Sequence, residues 1–270
     1  MYNVFSSRNS TLIVCFASLL FFSPHVRAAQ RLKKPDQEKI GTVMGQTVYR
    51  DQIRTGKKIN RRDELFRLFA QPVKENYIRD HRKELEPSEK EIAFAAAYFS
   101  KDEKIRQLDR QEKTMIRQQL LTIEKQLNTK HLTTSETQEL KSQQTELQAS
   151  LAMPCRTFAR FMLDHWKFQR HLYFNYGRGR ILFQQAGIEA FDAMYHWLQD
   201  REKQGEFSID DPKLHTLFYN YWTTQKHGNF LTSKPERIQE FLKPKWVPES
   251  SRKEPPGKKE DSSADFYSAD

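Results

Sequence analysis

The chain has 270 residues, with 45 lysines and arginines against 35 aspartates and glutamates, which gives a formal charge of +10. Its two cysteines, Cys15 and Cys155, are too few for a disulfide framework or for a zinc site of the multi-thiolate kind. Acidic residues are interleaved with the basic ones, whereas a nucleic-acid-binding protein concentrates its basic residues on one face. The composition therefore argues against nucleic acid as a partner. It indicates a mildly basic surface, which favours weak contact with anionic membranes or acidic proteins.

Residues 1–28 have the organisation of a secretory signal peptide. Arg8 lies in a short polar lead, residues 11–22 form a mostly apolar run, and Ala28 supplies a small residue after a proline-containing break. The apolar run is shorter than the roughly 20 residues that a membrane-spanning helix needs. We therefore predict export with cleavage after Ala28, followed by a polar leader at residues 29–39. The alternative is an uncleaved N-terminal segment that anchors the protein in the inner membrane.

The segment after the leader combines a short β-hairpin with helices. Residues 40–48 contain two β-prone pieces around a Met-Gly turn signal. Apolar side chains in residues 65–78 then recur at helical spacing, and Asp63 is the expected N-cap. Pro72 lies inside this pattern, so it is expected to kink the helix or to split it.

Composition changes abruptly at residue 101. Residues 101–149 contain no aromatic residue and no glycine, and a sparse apolar stripe runs through a sequence rich in Gln, Lys and Glu. Residues 128–134 interrupt the stripe, and Ser135 with Gln138 is expected to cap a second helix. The pattern predicts an αα-hairpin over residues 101–151 with a coiled-coil-like seam. The hairpin is a partner-binding arm, an oligomerisation element, or a solvated hairpin without a specific role.

Aromatic residues return in the last part of the core, residues 152–248. A helix-like segment at residues 158–173 is apolar on nearly all sides, which indicates either a buried helix or a second, partner-binding face. A Gly-Arg-Gly break at residues 177–179 follows, and from residue 186 the chain either breaks again or continues as a helix. Residues 249–270 are Ser, Lys, Glu, Pro and Asp in the main, so we predict a disordered tail.

Motifs of known enzymes are absent from the sequence. There is no HExxH zinc helix and no GxSxG elbow, and the Gly-Arg-Gly segment lacks the further glycine and the lysine of a phosphate loop. Cys155 is interpreted as a small buried hydrophobe. No two histidines stand four residues apart, and we predict no metal, no cofactor and no catalytic residue. The histidines after the signal peptide are His81, His131, His165, His171, His196, His215 and His227.

A polar cluster follows the Gly-Arg-Gly break and lies among aromatic residues. Its members are Arg180, Gln184, Gln185 and Asp192. Buried polar groups need hydrogen bonds, so the preferred interpretation is a buried pair of Arg180 with Asp192 that fixes how two helices meet. A ligand pocket is the alternative. An enzyme would need convergent titratable groups, and the candidates for that role are His165, His171, Arg180 and Asp192.

Three short motifs in residues 40–100 carry a resemblance to a known family. They are Gly41-Thr-Val-Met-Gly45 with Val48-Tyr-Arg-Asp-Gln-Ile53, the long helix Leu65 to Asp80, and Leu85-Glu-Pro-Ser-Glu-Lys-Glu-Ile92. These motifs resemble the N-terminal module of the SurA-type periplasmic chaperones, whose relatives often carry parvulin isomerase domains. The later stretch Tyr176 to Ala193 is similar to uncharacterised exported proteins of proteobacteria, and that similarity implies no activity.

The departures from this family limit what the resemblance implies. The histidine-initiated strand and the GGDLG-like segment of a parvulin domain are absent, so isomerase activity and its catalytic residues are not carried over. What the resemblance implies is a periplasmic helical module that holds apolar segments of other chains.

We therefore predict a mostly α-helical, irregular domain with a small N-terminal β-hairpin and a projecting αα-hairpin insertion. Its expected role is to bind apolar segments of unfolded or outer-membrane-bound client proteins in the periplasm, without catalysis. The alternatives are an assembly protein that binds its partner or oligomerises through residues 101–151, and a degenerate peptidyl-prolyl isomerase relative. For each candidate client-binding residue, the alternative to lining a binding groove is a place in the hydrophobic core. These candidates are Phe94, Tyr98, Phe158, Phe161 and Trp166.

Overall fold

The computed structural model describes residues 38–253, except residues 55, 57, 58, 129–131, 185, 186, 225 and 226. The predicted signal peptide, nearly all of the leader and the tail from residue 254 lie outside this part. The described chain is an irregular, mostly helical domain with a small N-terminal strand pair and an αα-hairpin, as predicted. No helix in the described ranges is long and apolar enough to cross a membrane.

Short strands and longer helices build the domain. In chain order, the strands are β1 (Lys39–Val43), β2 (Gln46–Tyr49), β3 (Ile181–Gln184), β4 (Gly187–Glu189), β5 (Phe207–Ile209) and β6 (Leu231–Thr232). The helices are α1 (Arg61–Leu65), α2 (Gln71–Asp80), α3 (Arg82–Leu85), α4 (Glu89–Phe99), α5 (Glu103–Leu127), α6 (Thr134–Ala152), α7 (Arg156–Asn175), α8 (Phe191–Lys203), α9 (Pro212–Thr223) and α10 (Pro235–Leu242). Short 3-10 turns lie at Arg50–Gln52, Gly228–Phe230 and Glu249–Arg252.

The predicted N-terminal hairpin forms part of a larger sheet. Met44 and Gly45 take φ values of 47° and 75°, which suit the two-residue turn between β1 and β2. On its other edge, β1 pairs antiparallel with β5, which the sequence did not reveal. A Cβ on Gly41 would lie 2.0 Å from the carbonyl oxygen of Ser208, so this close strand pairing requires glycine.

The first long helix is continuous from Arg61 to Asp80 but contains a π-helical turn at Phe66–Ala70, between α1 and α2. The turn lies directly before Pro72, whose missing N–H and ring disturb a regular α-helix. Pro72 therefore does not split the element. The N-cap is Asn60, whose side chain accepts a hydrogen bond from the Arg62 amide, and the predicted cap Asp63 lies in the first turn.

The core contains large aromatic side chains from early and late segments of the described chain. In the apolar stripe predicted over residues 65–78, Leu65, Phe69 and Val73 are fully buried as their spacing predicts, whereas Phe66 and Ile78 are half-buried. They pack in one cluster with the rings of α7, α8 and α9. The largest fully buried side chains of the described residues include Trp197, Phe69, Phe168, Phe191, Phe207, Phe218 and Phe241.

Helices α5 and α6 form the predicted hairpin. The N-cap of α6 is Thr133 in a capping box with Glu136, two residues before the predicted cap Ser135. At the base of the hairpin, the carboxylate of Asp109 accepts a hydrogen bond from the Cys155 amide at 2.8 Å. Cys155 is 1% exposed, in agreement with its interpretation as a small buried residue.

The buried carboxyl of Glu112 is expected to lower stability at neutral pH. Glu112 lies on α5, is 7% exposed, and its Oε1 has no hydrogen-bond partner in the described chain. Burial, reinforced by the charge of Asp109, raises the pKa of Glu112 to about 6. The folded state therefore disfavours ionisation, and its stability falls as the pH rises from about 4.5 through about 6.

Replacing Glu112 by glutamine is expected to raise the free energy of unfolding by up to about 2 kcal/mol above pH 6. The gain should disappear below about pH 4.5, where the folded and unfolded carboxyls are both protonated. Urea unfolding followed by circular dichroism at several pH values measures it. The exposed Glu124→Gln on the same helix is the control, and a gain that does not vary with pH would contradict the assignment.

Two strands, β3 and β4, take the place of a continued helix. β3 pairs antiparallel with β4 and with β6, so the chain does not continue as a helix here. The break expected at residues 186–187 falls partly outside the described residues, and neither alternative included the small sheet. At the C-terminal end, Glu249–Arg252 forms a 3-10 turn inside the predicted tail. Arg252 Nε donates to the carbonyl of Val247 at 2.6 Å, so at least these four residues are ordered on the domain.

Candidate functional site

Helix α4 is apolar on two opposite faces. One face, with Ile92, Ala95, Ala96 and Phe99, is buried against the domain. The other face is exposed, and every residue on it in the middle of the helix is also apolar. These residues are Ala93, Phe94, Ala97 and Tyr98. A helix that is apolar all round has either a second buried face or a partner, so the exposed face is a candidate binding surface.

The exposed face has a lysine at each end. Lys90 stands one turn before Phe94, and Lys101 follows the end of the helix on the same side. Both lysines are exposed, and neither forms an ion pair with any described residue. Lys90, Ala93, Phe94, Ala97, Tyr98 and Lys101 are hereafter called the α4 stripe. Phe94 is 45% exposed and Tyr98 is 40% exposed, so two large rings stand in solvent between two free cations.

The other predicted client-binding residues lie on α7 and are less accessible. Phe158 and Phe161 are half-buried, and the ring of Phe158 packs edge-on against Phe99 at 4.8 Å between centroids. Trp166 is 4% exposed, and its indole Nε1 donates to the carbonyl of Phe241 at 2.8 Å. Trp166 is therefore a core residue and does not line a surface groove, because α10 covers it.

The predicted pair of Arg180 with Asp192 is present. Arg180 Nη2 lies 2.8 Å from Asp192 Oδ1, and the Arg180 amide donates to Asp192 Oδ2 at 2.6 Å. The pair joins the approach to β3 with the first turn of α8, so it does not fix two helices as expected. The side chain of Gln184 and all of Gln185, the other members of the predicted cluster, lie outside the described residues.

The Gly-Arg-Gly segment is a turn, as predicted. Gly177, Arg178 and Gly179 all take positive φ values, of 101°, 53° and 93°. A Cβ on Gly179 would stand 2.6 Å from Asp192 Oδ2, so the glycine makes room for that carboxylate. The turn accommodates the carboxylate of Asp192, an anion of the protein itself, and so does not act as a phosphate loop.

The four residues considered for an enzyme do not converge. Arg180 and Asp192 bind each other, and His171 Nε2 lies 2.9 Å from the Tyr77 hydroxyl. Of these four residues, His165 alone borders the cavity described next. Among the described residues, no group of three or more His, Cys, Asp or Glu side chains could hold a metal ion.

The cavity beside His165 contains charged residues that the sequence did not single out. It has a volume of about 230 Å³ and lies among α1, α2, α7, α8, α9 and β4. Lys74 of α2, His165 of α7 and Glu189 of β4 border it. Its remaining walls are mostly aromatic or apolar, with Phe66, Met194, Phe218, Tyr221 and Trp222.

Among Lys74, His165 and Glu189, the glutamate is the best satisfied by hydrogen bonds. Its side chain is buried, and it accepts hydrogen bonds from Trp222 Nε1 at 2.9 Å and from the Tyr221 hydroxyl at 3.2 Å. Burial raises the pKa of Glu189, and these two hydrogen bonds oppose the rise. Its negative charge, when present, is therefore compensated locally by two donors.

Lys74 and His165 lack comparable compensation. In the described part of the chain, the Lys74 ammonium forms no hydrogen bond or ion pair and lies 4.8 Å from the centre of the Phe168 ring. Burial lowers the pKa of Lys74, which the charge of Glu189 partly offsets. Burial, aided by the positive charge of Lys74, also lowers the pKa of His165 to about 4, so this imidazole is neutral at physiological pH.

Position in sequence explains why these residues were missed. Lys74 on an amphipathic helix looks like a solvated surface charge, and Glu189 lies in a stretch that gave no clear element. A Cβ on Gly187 would lie 2.9 Å from the His165 ring, so the glycine allows β4 to pack closely against this histidine. The sequence contains that glycine, but its role becomes visible only once the strand pairing is known.

Comparison with known proteins adds no neighbour. No family model, no curated protein and no solved structure matches this chain. The fold and the surfaces described above define the class: an irregular helical domain with an exposed apolar face on α4 and a small charged cavity.

Proposed function

We propose that the protein is a non-catalytic, chaperone-like binding protein that holds apolar segments of other polypeptides against the α4 stripe. The observation that supports it is the exposed apolar face of α4 between Lys90 and Lys101. Burying apolar surface yields about 25 cal/mol per Å², and the two exposed rings supply most of the area. The alanines between the rings leave room for a partner backbone to approach the helix.

The charges at the ends of the stripe define the partner more closely. Two unpaired lysines attract carboxylates, so the preferred segment has apolar side chains in its middle and acidic ones at its ends. Unfolded or outer-membrane-bound client proteins in the periplasm are the proposed source of such segments. Export rests on residues 1–28 alone, and N-terminal sequencing of the periplasmic protein should begin at Ala29. A full-length chain in the membrane fraction would favour the anchored alternative.

The test is suppression of aggregation of a chemically unfolded client, followed by light scattering. The wild-type chain should suppress scattering at near-stoichiometric ratios. Phe94→Ser/Tyr98→Ser should need at least about tenfold more protein, because the loss of about 1.4 kcal/mol of binding energy is tenfold in affinity. Phe230→Ser is the matched control, since Phe230 is 65% exposed but stands away from the stripe in sequence.

A second copy of the chain is the competing occupant of the α4 stripe. Measuring the molar mass in solution distinguishes client binding from self-association. The proposal requires that the wild type and the Phe94→Ser/Tyr98→Ser variant are both monomers. A wild-type dimer that Phe94→Ser/Tyr98→Ser converts to a monomer would assign the stripe to self-association and overturn the proposal. Equal suppression by wild type and variant would overturn it as well.

A further inference from the structure

The cavity beside Lys74 contains an ammonium group that no carboxylate of the described residues contacts as an ion pair. Glu189 already accepts two hydrogen bonds, from Trp222 and Tyr221. Arg62 at the same cavity pairs with Asp63, with 2.7 Å between Nη2 and Oδ1. The Lys74 ammonium is the cation without an ionic partner among the described cavity residues. Lys74 is half-buried, and an ammonium group that is partly removed from water gains from a nearby anion, so an added anion is favoured here over an added cation.

The walls determine what kind of anion fits. The rings of Phe66, Phe218, Tyr221 and Trp222 line the cavity together with Met194. A strongly hydrated inorganic anion would lose its water against these walls, whereas an organic acid can bury its apolar body there. The volume of about 230 Å³ lies below the roughly 300–1,000 Å³ of pockets for drug-sized ligands, so the ligand is small.

We infer that this cavity is a binding site for a small organic carboxylate, with its apolar body between the aromatic walls and its carboxylate on the Lys74 ammonium. The neutral imidazole of His165 borders the same space. Its Nε2 lies 3.3 Å from the carbonyl oxygen of Ile188, so it donates that proton and leaves Nδ1 as an acceptor. This site is separate from the α4 stripe and does not depend on the proposed client binding.

The chain carries a convenient local reporter for the site. Among its four tryptophans, only Trp222 borders the cavity, and its indole N–H is the one bound to Glu189. Titration with benzoate, followed by the four indole N–H signals in nitrogen-15 NMR spectra, should shift the Trp222 signal saturably. Trp166, Trp197 and Trp246 serve as internal controls. Benzamide, which has nearly the same shape without the charge, should bind at least about tenfold more weakly.

Variants of Lys74 decide whether the ammonium is responsible. Lys74→Met and Lys74→Gln, each checked for folding by circular dichroism, should abolish the preference for benzoate over benzamide, and Lys74→Arg should retain part of it. Lys213→Met, at an exposed position on α9, is the control and should bind like the wild type. The inference is overturned if benzoate leaves the Trp222 signal unmoved, if benzamide binds equally well, or if the preference survives in the folded Lys74→Met or Lys74→Gln variant.

Discussion

Replacing Trp197 by alanine is expected to lower the free energy of unfolding by about 3–5 kcal/mol. Trp197 is 0% exposed on α8, and its ring stands edge-on to Tyr77 at 5.6 Å and to Phe168 at 5.7 Å between centroids. It thus joins the first long helix, α7 and α8 at one point. Truncation leaves a cavity that three packed elements cannot collapse to fill, and the loss is a large share of the stability of an ordinary domain.

Trp197→Phe is the matched control for this prediction. The indole Nε1 of Trp197 has no hydrogen-bond partner among the described residues, so phenylalanine removes an unsatisfied donor and keeps most of the ring contacts. We expect a loss of less than about 1.5 kcal/mol. Urea unfolding followed by far-UV circular dichroism measures both variants. A Trp197→Ala protein as stable as Trp197→Phe would contradict the packing described for this cluster.

The second large effect is expected where the hairpin meets the domain. The Arg156 side chain is 3% exposed, and it reaches Glu89 of α4 at 2.6 Å and Glu146 of α6 at 3.6 Å. The two carboxylates are 72% and 48% exposed. Removing both by Glu89→Ala/Glu146→Ala should cost about 3 kcal/mol or more, because a buried guanidinium is left without a counter-charge.

The reverse truncation should be milder. Arg156→Met removes the buried charge, fills similar volume with apolar atoms, and leaves two carboxylates that water can solvate. We expect a loss of less than about 1.5 kcal/mol for this variant. Urea unfolding of both variants measures the asymmetry, with Glu124→Ala as an exposed control on α5. If Arg156→Met costs more than the double glutamate variant, the guanidinium does not depend on these carboxylates in the way the structure indicates.

Local sequence signals predicted much of the secondary structure. The Met-Gly turn between β1 and β2 and the helical spacing of apolar residues in residues 65–78 both depend on neighbouring residues, and both the turn and the helix are present. The αα-hairpin is confirmed for the same reason, because its narrow apolar stripe and its interruption are visible within residues 101–151. Caps were misplaced by two or three residues where several capping side chains compete, as at Asn60 and Asp63.

Contacts between distant segments could not be predicted in the same way. Pairing of β1 with β5 joins opposite ends of the domain, and three-residue strands such as β5 give almost no periodic signal. The cavity is also formed by distant segments, since Lys74 and Glu189 meet only after folding. For the aromatic residues, spacing indicated which helices are apolar on several sides, but it could not show that Trp166 is covered by α10 while Phe94 stays exposed.

The affinity for an unfolded polypeptide tests the central proposal most directly. Isothermal titration calorimetry with reduced, carboxymethylated lactalbumin, which cannot refold, should show binding by the wild-type chain and by Phe230→Ser with equal affinity. Phe94→Ser/Tyr98→Ser should bind at least about tenfold more weakly. Equal affinity of the wild type and the Phe94→Ser/Tyr98→Ser variant, or no binding by the wild type, would contradict the assignment of client binding to the α4 stripe.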